Sequence, residues 1–187
     1  GPNQLWVSDI TYIDIEGDSD YLHLVTDAYS HKIIGWCLAD SLSARHTLEA
    51  LRMAIRQTGK DNLNGLIHHS DRGIQYCCNA YVEELELHHI SISMTEDYKP
   101  TDNAIAERVN GIIKQELIYR RKRFASHEEA YEAIERFITF YNDSRPHMSI
   151  DYQTPSVAHQ QVGTQQRHWK GYQERCQQNQ YNICQSI

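Results

Sequence analysis

No apolar run in the 187-residue chain approaches the length of a membrane span, and no leader-like segment is visible. A membrane partner is therefore not expected. No CxxC pair occurs among the five cysteines, their number is odd, and Cys77 and Cys78 are adjacent. This argues against a disulfide framework and for a reducing compartment. A basic excess is also missing: 18 Lys and Arg stand against 25 Asp and Glu, a formal charge of −7. The chain as a whole is not the strongly positive surface of a general nucleic-acid binder. Its acidic balance is compatible with a phosphodiester-processing core whose carboxylates hold metal and whose basic groups are local. Internal repeats are absent. From Val162 onward aliphatic residues become scarce and Gln is frequent, which predicts a tail, an arm packed on a partner, or disorder.

What remains reads as one domain with a real core, 40% apolar and 23% charged. The expected division is a core over residues 1–160 and a Gln-rich arm over 161–187. The opening Gly1-Pro2 resembles the scar of a cleaved expression tag. Leu5 to Ile15 alternates as a strand, with Val7, Asp9, Thr11 and Ile13 on one side. Asp9 is thus a carboxylate in an otherwise apolar strand, where Asp is disfavoured. After a turn cluster at Glu16 to Asp20 come strands over Tyr21 to Ala28 and Lys32 to Ala39, an antiparallel meander. Asp27 sits at a strand end and reads as a turn anchor. Ser43 can cap a helix that Gly59 ends. Leu66 to His69, Tyr76 to Leu85 and His89 to Met94 read as strand, helix and strand, a parallel βαβ unit. Asp71 lies just beyond the first of these strands, where functional groups collect in α/β sheets.

The chain is organised around Tyr98 to Glu116. Thr101, Asp102 or Asn103 can cap a helix whose apolar stripe is Ile105, Val109 and Ile112. Glu107, Asn110, Gly111 and Lys114, at i, i+3, i+4 and i+7, share the opposite face. Then follows the one dense basic run, containing Arg120, Arg121, Lys122 and Arg123, which suits either a solvated helix end or phosphate contact. Ser126 to Glu129 is a capping box for a helix bearing Ala130, Ile134, Phe137 and Tyr141, closed by Pro146. If the first and fourth strands are neighbours, Asp9 and Asp71 come together and the helix lays Glu107 over them. Three converging carboxylates repel unless a cation neutralises them. Hard oxygen ligands suit Mg²⁺ or Mn²⁺, and a pair of such ions suits phosphoryl transfer.

These motifs resemble the catalytic core of the retroviral-integrase superfamily and, within it, the DDE transposases of bacterial insertion sequences. Trp6-Val7-Ser8-Asp9-Ile10-Thr11-Tyr12 is similar to the first-Asp strand, and Val25 to Trp36 to the following hairpin. His69-Ser70-Asp71-Arg72-Gly73-Ile74-Gln75-Tyr76 resembles the second-Asp motif, and Asp102-Asn103-Ala104-Ile105-Ala106-Glu107 the glutamate motif. The 35 residues between Asp71 and Glu107 match the family spacing, and Lys114 its Lys/Arg position. Tyr141 to His147 and Thr154-Pro155 resemble its closing segment.

The resemblance implies an RNase H-like α/β fold: a five-stranded mixed sheet, three antiparallel strands plus two parallel, with helices on both faces. It implies Asp9, Asp71 and Glu107 as catalytic metal ligands, and Mg²⁺ or Mn²⁺ as cofactor, as two ions. It implies DNA as substrate, both transposon ends and target, with a homo-oligomer as the active complex in a bacterial cytoplasm, at the nucleoid. Lys114 and the Arg120, Arg121, Lys122 and Arg123 run are the expected DNA contacts. End recognition is expected from a module upstream of this chain. The alternatives are a nuclease of the same fold without strand transfer, a domesticated DNA-binding module, and a zinc protein using His68, His69, Cys77 and Cys78. The last lacks ordinary ligand spacing.

Overall fold

The structure, a computed structural model, describes residues 1–94, 104–121 and 123–165. Five strands form one sheet: β1 (Leu5–Ile15), β2 (Asp18–Asp27), β3 (Ile33–Ala39), β4 (Ile67–Ser70) and β5 (Ser91–Met94). Their order is β3-β2-β1-β4-β5. The first three pair antiparallel, and β4 joins β1 and β5 in parallel, as the sequence predicts. The β1–β2 hairpin is tighter than expected. Ile15 pairs with Asp18, so only Glu16 and Gly17 turn, with Gly17 at φ +88°. The polar cluster that reads as a turn is therefore mostly strand.

Helices cover both faces. α1 (Ala44–Thr58) packs on β3 so closely that a Cβ at Gly35 would overlap the Ala50 carbonyl. α2 (Asn79–Leu87) links β4 to β5; it begins three residues later than expected, because the Tyr76 and Cys77 amides both turn back to the Gly73 carbonyl. β5 likewise starts at Ser91, since His89 takes a left-handed φ of 54° that breaks extended backbone. α3 (Ala104–Ile113) continues through a π-helical turn, Lys114–Ile118, into the short α4 (Tyr119–Arg121). α5 (His127–Asp143) begins at the expected Ser126 cap, whose hydroxyl accepts from the Glu129 amide. The Glu129 carboxylate closes the box on the Ala125 amide. α6 (Pro155–Ala158) is a final turn.

The sheet separates two apolar clusters. Ile13, Ile15, Leu22, Leu24 and Leu38 meet α3 and α5 on one face. Trp6, Val25 and Ile34 meet α1 and α2 on the other. β1 is central and buried on both sides, so an Asp on it is expensive to place.

Candidate active site

The β1–β4 ladder brings the first two carboxylates together. Val7 pairs with His69, and the same offset of 62 residues separates Asp9 from Asp71. Asp9 lies two residues beyond the last β1 position paired with β4, and Asp71 follows the end of β4. Asp9 sits on the face that meets α3. Its Oδ1 accepts from the Ile10 amide at 2.9 Å and its Oδ2 from Asn110 Nδ2 at 2.6 Å. Asp71 is exposed, and its Oδ1 accepts from the Gly73 amide at 2.9 Å in an Asx-type turn. Glu107, in the first turn of α3, is exposed and three residues before Asn110.

The electrostatics tie the three together. Burial pushes the Asp9 carboxyl above its ordinary range. The bonds from Ile10 and Asn110 pull it down, and the charges of Asp71 and Glu107 raise it again. An acid that is desolvated and crowded by two other carboxylates gains most from a cation. Three carboxylates, one of them held by the Asn110 amide, suit a hard divalent ion. The three carboxylates stand wider apart than a closed ligand set. Among the described residues, only Cys37, His46 and Glu49 bring three such ligand atoms within 4.8 Å of one another.

α3 is rotated from its expected setting. Its buried residues are Ala106, Val109, Asn110 and Ile113, with Ile105 and Ile112 only half-buried. Asn110, read as part of an exposed polar face, is 6% exposed and donates to Asp9. Sequence reasoning gave it no role. The available signal was its position one turn after Glu107 on the same face. Its Oδ1 has no hydrogen-bond partner among the described residues. Tyr76 is a second omission: buried on the far side of the site, its phenol is pushed well above its usual range by burial, Tyr81, Asp9 and Asp71. The cap candidates Thr101, Asp102 and Asn103 lie outside the described residues.

Lys114 is half-buried two turns from Glu107, about 10 Å along the helix axis. The π turn that starts there is tied to the segment after α5. Arg145 grips Glu116 with Nε to Oε2 at 2.9 Å and Nη2 to Oε1 at 2.5 Å. That guanidinium holds the Glu116 carboxyl below its usual range, so Glu116 is a committed ion-pair partner and not a spare metal ligand. The closing segment also fastens β3: Asn142 accepts from the Ile33 amide and donates to the Ile33 carbonyl. Of the basic run, Arg120 is exposed, Arg121 pairs with Glu129 and Arg123 with Asp14, both at 3.2 Å. Lys122 lies outside the described residues.

The alternative zinc set does not assemble. His68 is fully buried, its Nε2 within 2.8 Å of Ser8 Oγ and 2.9 Å of Tyr81 Oη, while Cys77 is exposed. Burial lowers His68 to about 3, so it serves as a neutral core group.

Two protein-family models, each described as an integrase core domain, match residues 1–100 and 88–155. A Mycobacterium tuberculosis protein named for insertion sequence element IS986/IS6110 is 37% identical over 147 residues, covering 77% of this chain and 53% of that protein. The transposase for insertion sequence element IS904 of Lactococcus lactis is 36% identical, covering 82% of this chain and 60% of that one. The chain thus spans little more than half the length of these relatives. Among solved structures, the magnesium-bound catalytic core of HTLV-2 integrase superposes with a TM-score of 0.64 at 20% identity, covering 84% of this chain and 97% of that core. The simian T-cell lymphotropic virus intasome gives 0.71 at 18%, covering 91% and 59%. At this identity the structural likeness establishes the fold, which is RNase H-like. No helix among the described residues is long and apolar enough to cross a membrane.

Proposed function

The chain belongs to the integrase core domain family, and on that premise we propose that it is the catalytic part of a DDE transposase that cuts transposon-end DNA and joins it to a target. The observation that carries this reading is the Asp9–Asn110 contact. It ties the helix bearing Glu107 to the end of the β1–β4 ladder, just beyond which Asp9 and Asp71 lie. Asp9 and Asp71 hold divalent metal from the sheet side and Glu107 from the helix side. When bound, two Mg²⁺ or Mn²⁺ ions supply Lewis acidity to the attacking and leaving oxygens of a phosphodiester. Asn110 orients the Asp9 carboxylate. Lys114 and the Arg120–Arg123 run meet DNA phosphates as positive groups in a net-acidic chain. The surface pairs of Arg121 and Arg123 are weak enough to exchange for phosphate.

Hydrolysis breaks one phosphodiester and leaves a 3′-hydroxyl. That hydroxyl attacks a second phosphodiester, so the bond count is conserved and no covalent enzyme intermediate is needed. The relatives' names support DNA as the substrate and a bacterial cytoplasm as the place. The active complex is a homo-oligomer on DNA, built from the 1–160 core; the expectation for 161–187 falls, from residue 166 on, outside the described residues. The test is cleavage and strand transfer by the wild-type protein and by Asp9→Asn, Asp71→Asn and Glu107→Gln on the element's own ends. All three variants should be inactive while folded. Cleavage without any joined product by the wild type would leave a nuclease of the same fold.

A further inference from the structure

His23 on β2 and Cys37 on β3 are cross-strand partners, so their side chains share the face of the sheet covered by α1, opposite Asp9. From α1, His46 and Glu49 reach the same spot three residues apart, about one helical turn. Cys37 Sγ donates to Glu49 Oε2 at 3.5 Å, and His46 Nδ1 lies 3.7 Å from that same oxygen. All three ligand atoms fall within 4.8 Å of one another. A tetrahedral Zn²⁺ with Zn–S of about 2.3 Å and Zn–O and Zn–N of about 2.0 Å sets S···O near 3.5 Å and N···O near 3.3 Å. The first distance is met, and the second needs a shift of a few tenths of an ångström.

We propose that Cys37, His46 and Glu49 form a zinc site that clamps α1 to β3, with a fourth position open to solvent. The ligand chemistry differs from that of the carboxylate triad. One thiolate, one imidazole and one carboxylate suit Zn²⁺ and disfavour Mg²⁺. The charges also close, since a thiolate and a carboxylate neutralise the ion. Glu49 has its other oxygen, Oε1, on exposed Arg45 at 3.1 Å, which leaves Oε2 facing the thiol and the imidazole. The Glu49 side chain is 44% exposed, so the ion has an entry path. Binding an ion here would displace the Cys37 thiol proton to solvent. His23 stays outside the ligand set: its Nδ1 is within 2.9 Å of Thr47 Oγ1, and burial keeps its ring neutral.

The test is a titration of the metal-free 187-residue chain with Co²⁺, followed by displacement with Zn²⁺. One equivalent should give tetrahedral visible bands and a thiolate-to-cobalt charge-transfer band, both erased by Zn²⁺ and unaffected by excess Mg²⁺. Cys37→Ser should remove the charge-transfer band. Glu49→Gln, at a half-exposed position that does not threaten folding, should weaken Co²⁺ binding tenfold or more with an unchanged metal-free thermal midpoint. His46→Ala should do the same to affinity, and Asp9→Asn should leave the spectrum alone. The proposal is overturned if the wild type shows only weak octahedral bands, or if the charge-transfer band survives in Cys37→Ser. Unchanged affinity in Glu49→Gln or His46→Ala overturns it equally.

Discussion

Asp27 and Asp9 sit on neighbouring strands, and the protein treats them in opposite ways. Asp27 is fully buried at the end of β2. Its Oδ1 accepts from the Ser30 amide at 2.8 Å and the Ser30 hydroxyl at 2.7 Å, and its Oδ2 accepts from the Asn3 amide at 2.7 Å. His159 Nδ1 stands 3.6 Å away. Burial alone would raise its carboxyl, but His159, Ser30 and Asn3 outweigh it and hold the group below the usual range. Asp9 has one backbone donor, one amide and two other carboxylates for company, and its balance runs the other way. A buried carboxylate saturated by fixed donors is a structural joint. One left under-compensated beside like charges is a binding site waiting on mobile charge. The two differ in surroundings, not in residue type.

The largest expected effect breaks the Asp9 side of this contrast. Asp9→Asn and Glu107→Gln should each lower cleavage and strand transfer at least about a thousandfold, since groups acting as one unit are lost together. Thermal unfolding of the metal-free variants should be unchanged or slightly raised, because repulsion is relieved. Near-normal strand transfer by Glu107→Gln would remove that residue from the site.

Asp27→Asn should do the reverse, costing about 3 kcal/mol in a urea titration, because buried donors lose their acceptor. Its remaining folded fraction should still bind metal. A change below about 0.5 kcal/mol would mean that Asp27 is not the joint described. Asn110→Ala tests the link between the halves. It removes the donor to Asp9 without touching a ligand, and should cost ten- to a hundredfold in metal affinity or activity.

A smaller effect separates the two acids by pH. The depressed Asp27 contributes stability that is present above its unfolded value near 3.8 and lost as pH falls through its lower folded value. The raised Asp9 does the opposite: metal-free stability falls as pH rises from about 3.8 through its higher folded value. Denaturation midpoints from pH 3 to 7 should therefore show an Asp9→Asn advantage that grows with pH across that window and vanishes at its acid end. A constant advantage would place the difference in packing and not in charge.

Much of this was legible in the chain. The alternation of β1, the meander and the parallel unit follow from period-two patterns and turn residues, and the matching offset of Asp9 and Asp71 just past the ladder follows once β1 and β4 are neighbours. What escaped the sequence was rotation and partner choice. Ile105, Val109 and Ile112 make a plausible stripe, yet Ala106, Val109, Asn110 and Ile113 are the ones buried, because an apolar count cannot see that Asp9 supplies a buried acceptor for Asn110. The Glu116–Arg145 pair in the π turn was invisible for a similar reason, since its partners stand 29 residues apart. Cys37, His46 and Glu49 are spread over a strand and a helix with no motif spacing, so only the fold brings them together.

The smallest expected effect concerns Lys114, the cation two turns beyond Glu107 on the same helical run. It is half-buried on the exit side of α3, two turns from Glu107, at the start of the π turn held by the Glu116–Arg145 pair. Lys114→Ala should change folding stability by no more than about 0.5 kcal/mol, as surface substitutions usually do. If it meets a phosphate, the slope of log affinity against log salt should fall by roughly one unit, equally for element-end DNA and for a scrambled duplex of the same length. Phosphate contacts position and do not read sequence. A loss confined to the element end would instead make Lys114 a base-reading residue. An unchanged slope would mean that the DNA path runs along Arg120 and Arg121, away from the π turn.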